Sequence, residues 1–344
     1  MRDIHDQSGS PSRSPAAPAA EPVTEELAHA LPDDHVGLLA LARRWALRLV
    51  PVVLLIAAVW VLWREFRHLR LASVADAMEA WGHVRILLAL LLSAFSFLLM
   101  GLVEWLGVRW AGAKMPWGPV LAGSFLANAI AHAVGANLLV SGAVRARLYD
   151  RFQVSLTQVA ATTLFGGVSF AVGLATLGGA GLAFSSTRQI EATAIPLELA
   201  RIVGGALIAA AAAYVVLCTL RRRPLTAFGR SITLPSAGDA IAQIVIGVVD
   251  NGTAAAIVWL LLPRGVVHYS TFVGAYAVAA VAGLISTVPA GAGVFEGSIS
   301  TLLPNADPAP LAAAFLGYRL AYYILPLIIA CLALVGDTIH RRGK

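Results

Sequence analysis

Charge is what this sequence has least of. Of its 344 residues only 13% are Asp, Glu, Lys or Arg, against roughly a quarter in an average soluble domain. A soluble fold needs a charged shell, so the shortage excludes one for most of the chain. Lysine is nearly absent, at Lys114 and Lys344. The two cysteines, Cys218 and Cys331, both sit in apolar runs, which argues against a disulfide framework or a thiolate metal site. HExxH, CxxC and P-loop patterns are missing, and Gly291-Ala292-Gly293 follows an apolar segment without dinucleotide spacing. No metal or cofactor is therefore expected. The net charge of +6 (25 basic, 19 acidic) would raise nucleic acid in a soluble protein. In an apolar chain, basic residues at helix ends are topological determinants and contacts for anionic lipid, so no nucleic-acid partner is expected.

What is abundant is hydrocarbon. Hydrophobic residues make up 58% of the chain and the mean hydropathy is +0.78. At about 20 residues per span this predicts an all-α polytopic membrane protein with six to eight transmembrane segments. Residues 1–36, rich in Pro, Ala, Ser and acids, read as a disordered tail. Residues 37–340 read as one transmembrane domain and 341–344 as a basic end. The first apolar run, Leu49–Trp63, comes too late and after too many arginines for a signal peptide. After a polar, amphipathic stretch (64–85), the runs are Ile86–Trp110, Pro116–Val144, Val154–Thr187, Ile202–Leu220, Ala240–Pro263, Tyr269–Leu303 and Pro308–Gly336. Two of them are broken, one at Gly135 and Ser141-Gly142, the other at Pro289-Ala290-Gly291-Ala292-Gly293.

The two broken runs resemble each other. Ser124-Phe125-Leu126 opens one and Thr271-Phe272-Val273 the other; each then meets a charge after its break, Arg145 or Glu296. Glu104 lies 20 residues before Ser124 and Asp250 lies 21 before Thr271. Weak internal symmetry with broken segments in matching places points to a transporter site. With eight crossings, 22 basic residues near helix ends divide 11 and 11, against the positive-inside rule. With both broken segments re-entrant they divide 15 inside and 7 outside, and both termini are cytoplasmic. Making only the second re-entrant gives 14 and 8, so counting alone does not decide. The double re-entrant arrangement treats the repeats alike and makes them inverted.

Charge inside a bilayer costs a few kcal/mol at least, so Glu104, Asp250, Glu296 and Arg319, with Arg145 and Arg147 beside a break, are the candidates for a polar cavity. The alternative is that they pair as struts between helices. Asn128 and His132, four residues apart, share a helix face and either line that cavity or bond between helices. Tyr318, Tyr322 and Tyr323 flank Arg319, as site residues or as an interfacial belt. Arg145 and Glu296, each following a break, are expected to meet near the midplane as an opposite-charge pair.

Three stretches carry a family resemblance: Asn128…Gly135…Ser141-Gly142-Ala143-Val144-Arg145-Ala146-Arg147-Leu148-Tyr149, Val288-Pro289-Ala290-Gly291-Ala292-Gly293-Val294-Phe295-Glu296, and Tyr318-Arg319-Leu320-Ala321-Tyr322-Tyr323…Pro326. In this order, over about residues 45–340, they resemble the membrane domain of the lysylphosphatidylglycerol synthetase/flippase (multiple peptide resistance factor) family. Ala290 and Ala292 replace a Gly and a Leu of the usual Pro-Gly-Gly-Leu-Gly run, and Glu104 stands where relatives often have Tyr-Asp. Bifunctional members continue into an aminoacyl-transferase domain, whereas this chain stops at Lys344, so the resemblance implies the lipid-translocating part and not a synthase.

The expected function is translocation of a polar or aminoacylated phospholipid between leaflets of the bacterial inner membrane. Arg145, Arg147 and Arg319 suit the phosphate. Glu296, Asp250 and Glu104 suit an amine, with Asn128, Tyr149 and Tyr322 as further lining residues. Membrane phospholipid is the expected partner; a separate lipid-modifying synthase and a second copy of the chain are further candidates. Two rival classes stay open: a membrane-embedded transferase using Asp250 or Glu296 as base, and a non-transporting member of a lipid-synthesis complex.

Overall fold

The computed structural model describes residues 71–344 other than 135–136, 192, 222–224, 228–229, 287–290 and 343–344. The tail 1–36, the run Leu49–Trp63 and the breaks at Gly135 and Pro289 lie outside the described residues. Helices dominate: α1 (Leu71–Trp110), α2 (Trp117–Val134), α3 (Asn137–Tyr149), α4 (Leu156–Phe184), the short α5 (Thr187–Glu191), α6 (Leu197–Leu220), α7 (Ala237–Leu261), α8 (Tyr269–Ile285), α9 (Val294–Leu302), α10 (Pro308–Arg319) and α11 (Leu325–Arg342). A one-turn π segment, Leu320–Ile324, joins α10 to α11. One small antiparallel hairpin, Leu225–Ala227 with Arg230–Ile232, connects α6 to α7. Among the described residues five helical stretches are long and apolar enough to cross a membrane: Trp81–Trp110, Leu156–Phe184, Leu197–Leu220, Ala237–Leu261 and Pro308–Gly336. The protein is an all-α, multi-pass membrane protein.

Its surface shows why. Val84, Leu87, Leu91, Phe95 and Leu98 recur at helical spacing on α1 and are exposed, while Ala89, Ser93, Ser96 and Glu104 on the same helix are buried. In water this arrangement would be inside out; in a bilayer the apolar face meets lipid and the polar residues meet neighbouring helices. Gly82, at φ 67°, kinks α1 just where the amphipathic stretch ends and the apolar run begins.

Both broken runs fold back on themselves. Tyr149, the last residue of α3, packs its ring against Gly123 near the start of α2, so α3 returns along α2. In the second run Ser185 meets Thr271 at the start of α8, and the backbone N–H of Ala194 donates to Leu302 at the end of α9. Both limbs of that hairpin therefore reach the short connection between α4 and α6. Glycine is required at the second break: Gly291 (φ 62°) and Gly293 (φ 81°) hold left-handed backbone that side chains disfavour.

The long helices carry the inverted relation directly. The Trp81 indole N–H donates to the Leu261 carbonyl at 3.0 Å, and Ser96 bonds Asp250. Moving up α1 thus means moving down α7, so the two helices that open the repeats are antiparallel. By contrast, α4 and α7 run in the same direction: Gln243 donates to the Phe165 carbonyl at 3.0 Å and Asn251 to that of Phe170 at 3.3 Å. These two helices touch backbone to backbone where Gly173 crosses Gly247, the close approach that small residues allow. Each is capped at its start by a serine, Ser155 and Ser236.

Candidate functional site

The intramembrane charges sort into two ion pairs and one carboxylate held by hydroxyls. The first pair joins α1 to α3. The Arg145 Nε–H lies 2.7 and 2.9 Å from the two Glu104 oxygens, and its Nη2 lies 2.7 Å from Glu104 Oε2. The Tyr149 hydroxyl donates to the same carboxylate at 2.9 Å. Asn128 accepts from Arg145 at 3.4 Å and donates to Ser124 at 3.1 Å. Glu104 (3%), Arg145 (4%) and Tyr149 (1%) are nearly sealed from outside. A buried pair with its remaining lone pairs satisfied in this way is a strut: removing either member strands the other.

The second pair joins α9 to α10. Arg319 Nε and Nη2 lie 2.7 and 2.5 Å from Glu296 Oε1. The other oxygen, Oε2, accepts the backbone N–H of Gly293 at 2.8 Å, so Glu296 caps the helix on which it sits, a position favourable to a carboxylate. This pair is open. The Glu296 side chain is 17% exposed, and both residues line a cavity of about 400 Å³ with Ser300, Pro304, Leu311 and Phe315. A second groove of about 280 Å³, apolar, is lined by Trp81, Leu90, Leu261, Ile324 and Ile328.

Asp250 on α7 is bonded to the Ser96 hydroxyl, which also meets the Tyr322 hydroxyl at 2.8 Å. Tyr322 belongs to the π segment. Pro326 lacks the N–H that would bond the Tyr322 carbonyl, and the helix answers by widening, with Leu325 N–H bonding Leu320. Tyr318 and Tyr322 stack at 5.3 Å and 13°, and His132 stacks on Tyr322 at 5.6 Å.

The geometry corrects several expectations. Arg145 does not meet Glu296: each repeat closes its own pair, Arg145 with Glu104 and Arg319 with Glu296. In the open cavity, the candidates present are Glu296 and Arg319. Of the carboxylates only Glu296 lines it, and Glu104 is committed to Arg145 and Tyr149. Asn128 belongs to the Glu104–Arg145 cluster, whereas His132 on the same helix faces Phe97 and Tyr322. Arg147 is exposed near the end of α3, apart from the cluster its neighbour joins. Tyr318 and Tyr322 are buried rather than belted at an interface. Ser93 and Ser96 join the site as well, and the sequence marks them by spacing: two hydroxyls three residues apart in an apolar run share a helix face. Among the described residues no cluster of metal-ligating side chains occurs.

Residues 48–330 match the family model described as the lysylphosphatidylglycerol synthase TM region. An uncharacterised protein of Synechocystis sp. is 31% identical over 287 residues, covering 81% of this chain and 88% of that protein. The inner membrane protein YbhN of Escherichia coli is 30% identical over 301 residues, covering 82% of this chain and 86% of its own length.

Proposed function

Starting from the fact that the chain belongs to the lysylphosphatidylglycerol synthase TM-region family, we propose that it moves a polar phospholipid between the leaflets of the bacterial inner membrane. The observation that carries this reading is the Glu296–Arg319 pair at the wall of an open cavity, beside a broken hairpin. The obstacle to flipping is the head group, whose charges must cross about 30 Å of hydrocarbon. A cavity of this size lies at the low end of small-molecule sites; it suits a head group and leaves the acyl chains in lipid. The apolar groove lined by Ile324 and Ile328 supplies a hydrocarbon-compatible surface along the segment that follows Arg319.

The pair suggests how entry proceeds. A head group bearing a phosphate and an ammonium, as an aminoacylated phospholipid does, offers each member a new partner. Arg319 turns to the phosphate, for which its planar fork is suited, and Glu296 to the ammonium. Exchange of partners leaves no charge unpaired at any step, which avoids the cost of opening a buried ion pair to nothing. On this reading the chain is a transporter and not the synthase, and a separate lipid-modifying enzyme provides the substrate. The inner-membrane location agrees with the printed name of the Escherichia coli relative.

The test is direct. Purified protein in vesicles of phosphatidylethanolamine and phosphatidylglycerol, with a trace of fluorescent-head-group phosphatidylglycerol, should carry the probe between leaflets faster than empty vesicles, read by dithionite quenching. Arg319→Ala should abolish the acceleration. Equal rates with and without protein, also for lysyl-phosphatidylglycerol followed by an amine-reactive reagent, would remove the flipping assignment.

A further inference from the structure

Asp250 is the intramembrane carboxylate that the head-group cavity leaves unused. By spacing it is the counterpart of Glu104 in the other repeat. Glu104 is neutralised by Arg145 and Tyr149, whereas among the described residues no cation pairs with Asp250. Its partner is a neutral hydroxyl, Ser96. The other side chains around it are phenols and one imidazole. Tyr276 approaches from α8 and Tyr322 from the π segment, with Tyr318 and Tyr323 packed behind them. His132 from α2 lies across the Tyr322 ring, and its buried Nδ1 has no hydrogen-bond partner. From the remaining helices packed on α7, α4 carries no titratable side chain. Tyr214 of α6 is bonded to Gln243, two turns away. Arg145 and Arg319 are held by their own carboxylates.

An ionised carboxylate without a cation in an apolar interior is expensive, and such a group takes up a proton instead. The hydroxyl chain suits that exchange. Ser96 and Tyr322 can each donate or accept, so when Asp250 is ionised Ser96 points its O–H at the carboxylate. When Asp250 is protonated the direction reverses, with Asp250 donating to Ser96 and Ser96 to Tyr322. A hard metal cation would want six or more oxygens, and among the described residues one hydroxyl, that of Ser96, meets this carboxylate.

We propose that Asp250 is a proton-binding site, linked through Ser96 to Tyr322, that couples movement of the lipid head group to the transmembrane proton gradient. The coupling half rests on the translocation reading above; the proton-binding half does not. The connection between them is short. Tyr322 lies three residues beyond Arg319, and Ser93 ties the same segment to α1 by donating to the Ala321 carbonyl at 2.8 Å. A reversal of the Asp250–Ser96–Tyr322 bonds therefore acts on the one-turn π segment that immediately follows the cavity arginine. Whichever protonation state favours the Arg319 position of the loaded site is then drawn on by the gradient.

Two measurements test it. Infrared difference spectra of the full-length protein in vesicles of three parts phosphatidylethanolamine to one part phosphatidylglycerol, titrated between about pH 5 and 9, should show a carboxylic-acid carbonyl band that Asp250→Asn removes. Absence of the band, or its persistence in Asp250→Asn, would overturn the proton site. Should Asp250→Asn fail to fold, Ser96→Ala carries the test, since losing the hydroxyl must shift the band; an unshifted band overturns the assignment. In the same vesicles an imposed pH gradient should change the rate of probe movement severalfold. The ratio of rates with and without the gradient should fall to about one in Asp250→Asn. Active flipping that ignores the pH gradient, or that answers to sodium instead, sinks the coupling. A pH-dependent band in protein that moves no lipid would retain the proton site and overturn the flipping reading alone.

Discussion

At the scale of single residues, two Glu–Arg pairs of the same composition differ in the accessibility of their carboxylate, 3% for Glu104 against 17% for Glu296, and this decides what each does. Glu104–Arg145 is sealed and saturated with partners. Arg145→Ala should lower stability by about 3–5 kcal/mol, the usual cost of stranding a buried charge, read as lost expression and a lower midpoint of thermal unfolding in detergent. Exchanging the charges, Glu104→Arg with Arg145→Glu, should recover both folding and lipid movement, because a strut only needs opposite signs. Glu296–Arg319 faces the cavity. Its exchange, Glu296→Arg with Arg319→Glu, should recover folding but not transport, because the head group then meets reversed signs. A double-mutant cycle on unfolding midpoint and flipping rate separates the two pairs. These pairings were only half legible in the sequence. The cost of intramembrane charge singled out Glu104, Arg145, Glu296 and Arg319. Spacing, however, fixes height along a helix and not which neighbour a side chain faces. The hairpin folding decides that: α3 returns against α1, and α9 against α10. The same limit explains why Asn128 and His132, on one helix face, ended in different clusters.

At the scale of elements, the apolar runs marked the spans to within a few residues, and Gly291 and Gly293 mark the second break, but Ser141-Gly142, expected to break the first run, lies inside the continuous helix α3. What composition did not mark is which glycines are contacts. Gly173 has no special place in the sequence of α4, yet a β-carbon there would overlap the backbone of Gly247 on α7. Backbone cannot rotate out of the way as a side chain does, so Gly173→Leu should cost more than the about 1–3 kcal/mol typical of overpacking. Gly166, on the same helix with nothing within 4 Å of an added β-carbon, is the control: Gly166→Ala should leave the unfolding midpoint unchanged. Gly123→Ala should act differently again. Its methyl group would displace the Tyr149 ring, and with it the hydroxyl that bonds Glu104. The expected result is a loss that matches Tyr149→Phe and does not add to it, since both act through one bond.

At the scale of the whole molecule, the hairpins set the sidedness. The α2–α3 hairpin returns to the end of α1 marked by Trp110, so α4 starts there and leaves, and α6 comes back. Arg109, Lys114, Arg147, Arg151 and Arg221 therefore gather at one end of the helices, and α7 departs from that same end. The positive-inside rule assigns such an end to the cytoplasm, in agreement with the 15 to 7 division of basic residues that two re-entrant segments give. Had both broken runs crossed, α4 and α7 would still be parallel, but α1 and α7 would be parallel as well. The Trp81–Leu261 and Ser96–Asp250 contacts could not then both form. Sidedness is therefore testable independently of transport. In a background with Cys218 and Cys331 replaced by alanine, cysteines introduced at positions 147 and 222 should resist a membrane-impermeant thiol reagent in intact cells and react after permeabilisation. A cysteine at Arg264, beyond the far end of α7, should react in intact cells. Labelling of all three from outside would mean that α7 does not cross, and a cysteine at Lys114, before the α2–α3 hairpin, that differs from 147 in its labelling would contradict the folded-back hairpin. Labelling of 114, 147 and 222 together, with 264 protected, would keep the first hairpin and invert the protein in the membrane, which would also reverse the direction in which a proton gradient could drive it.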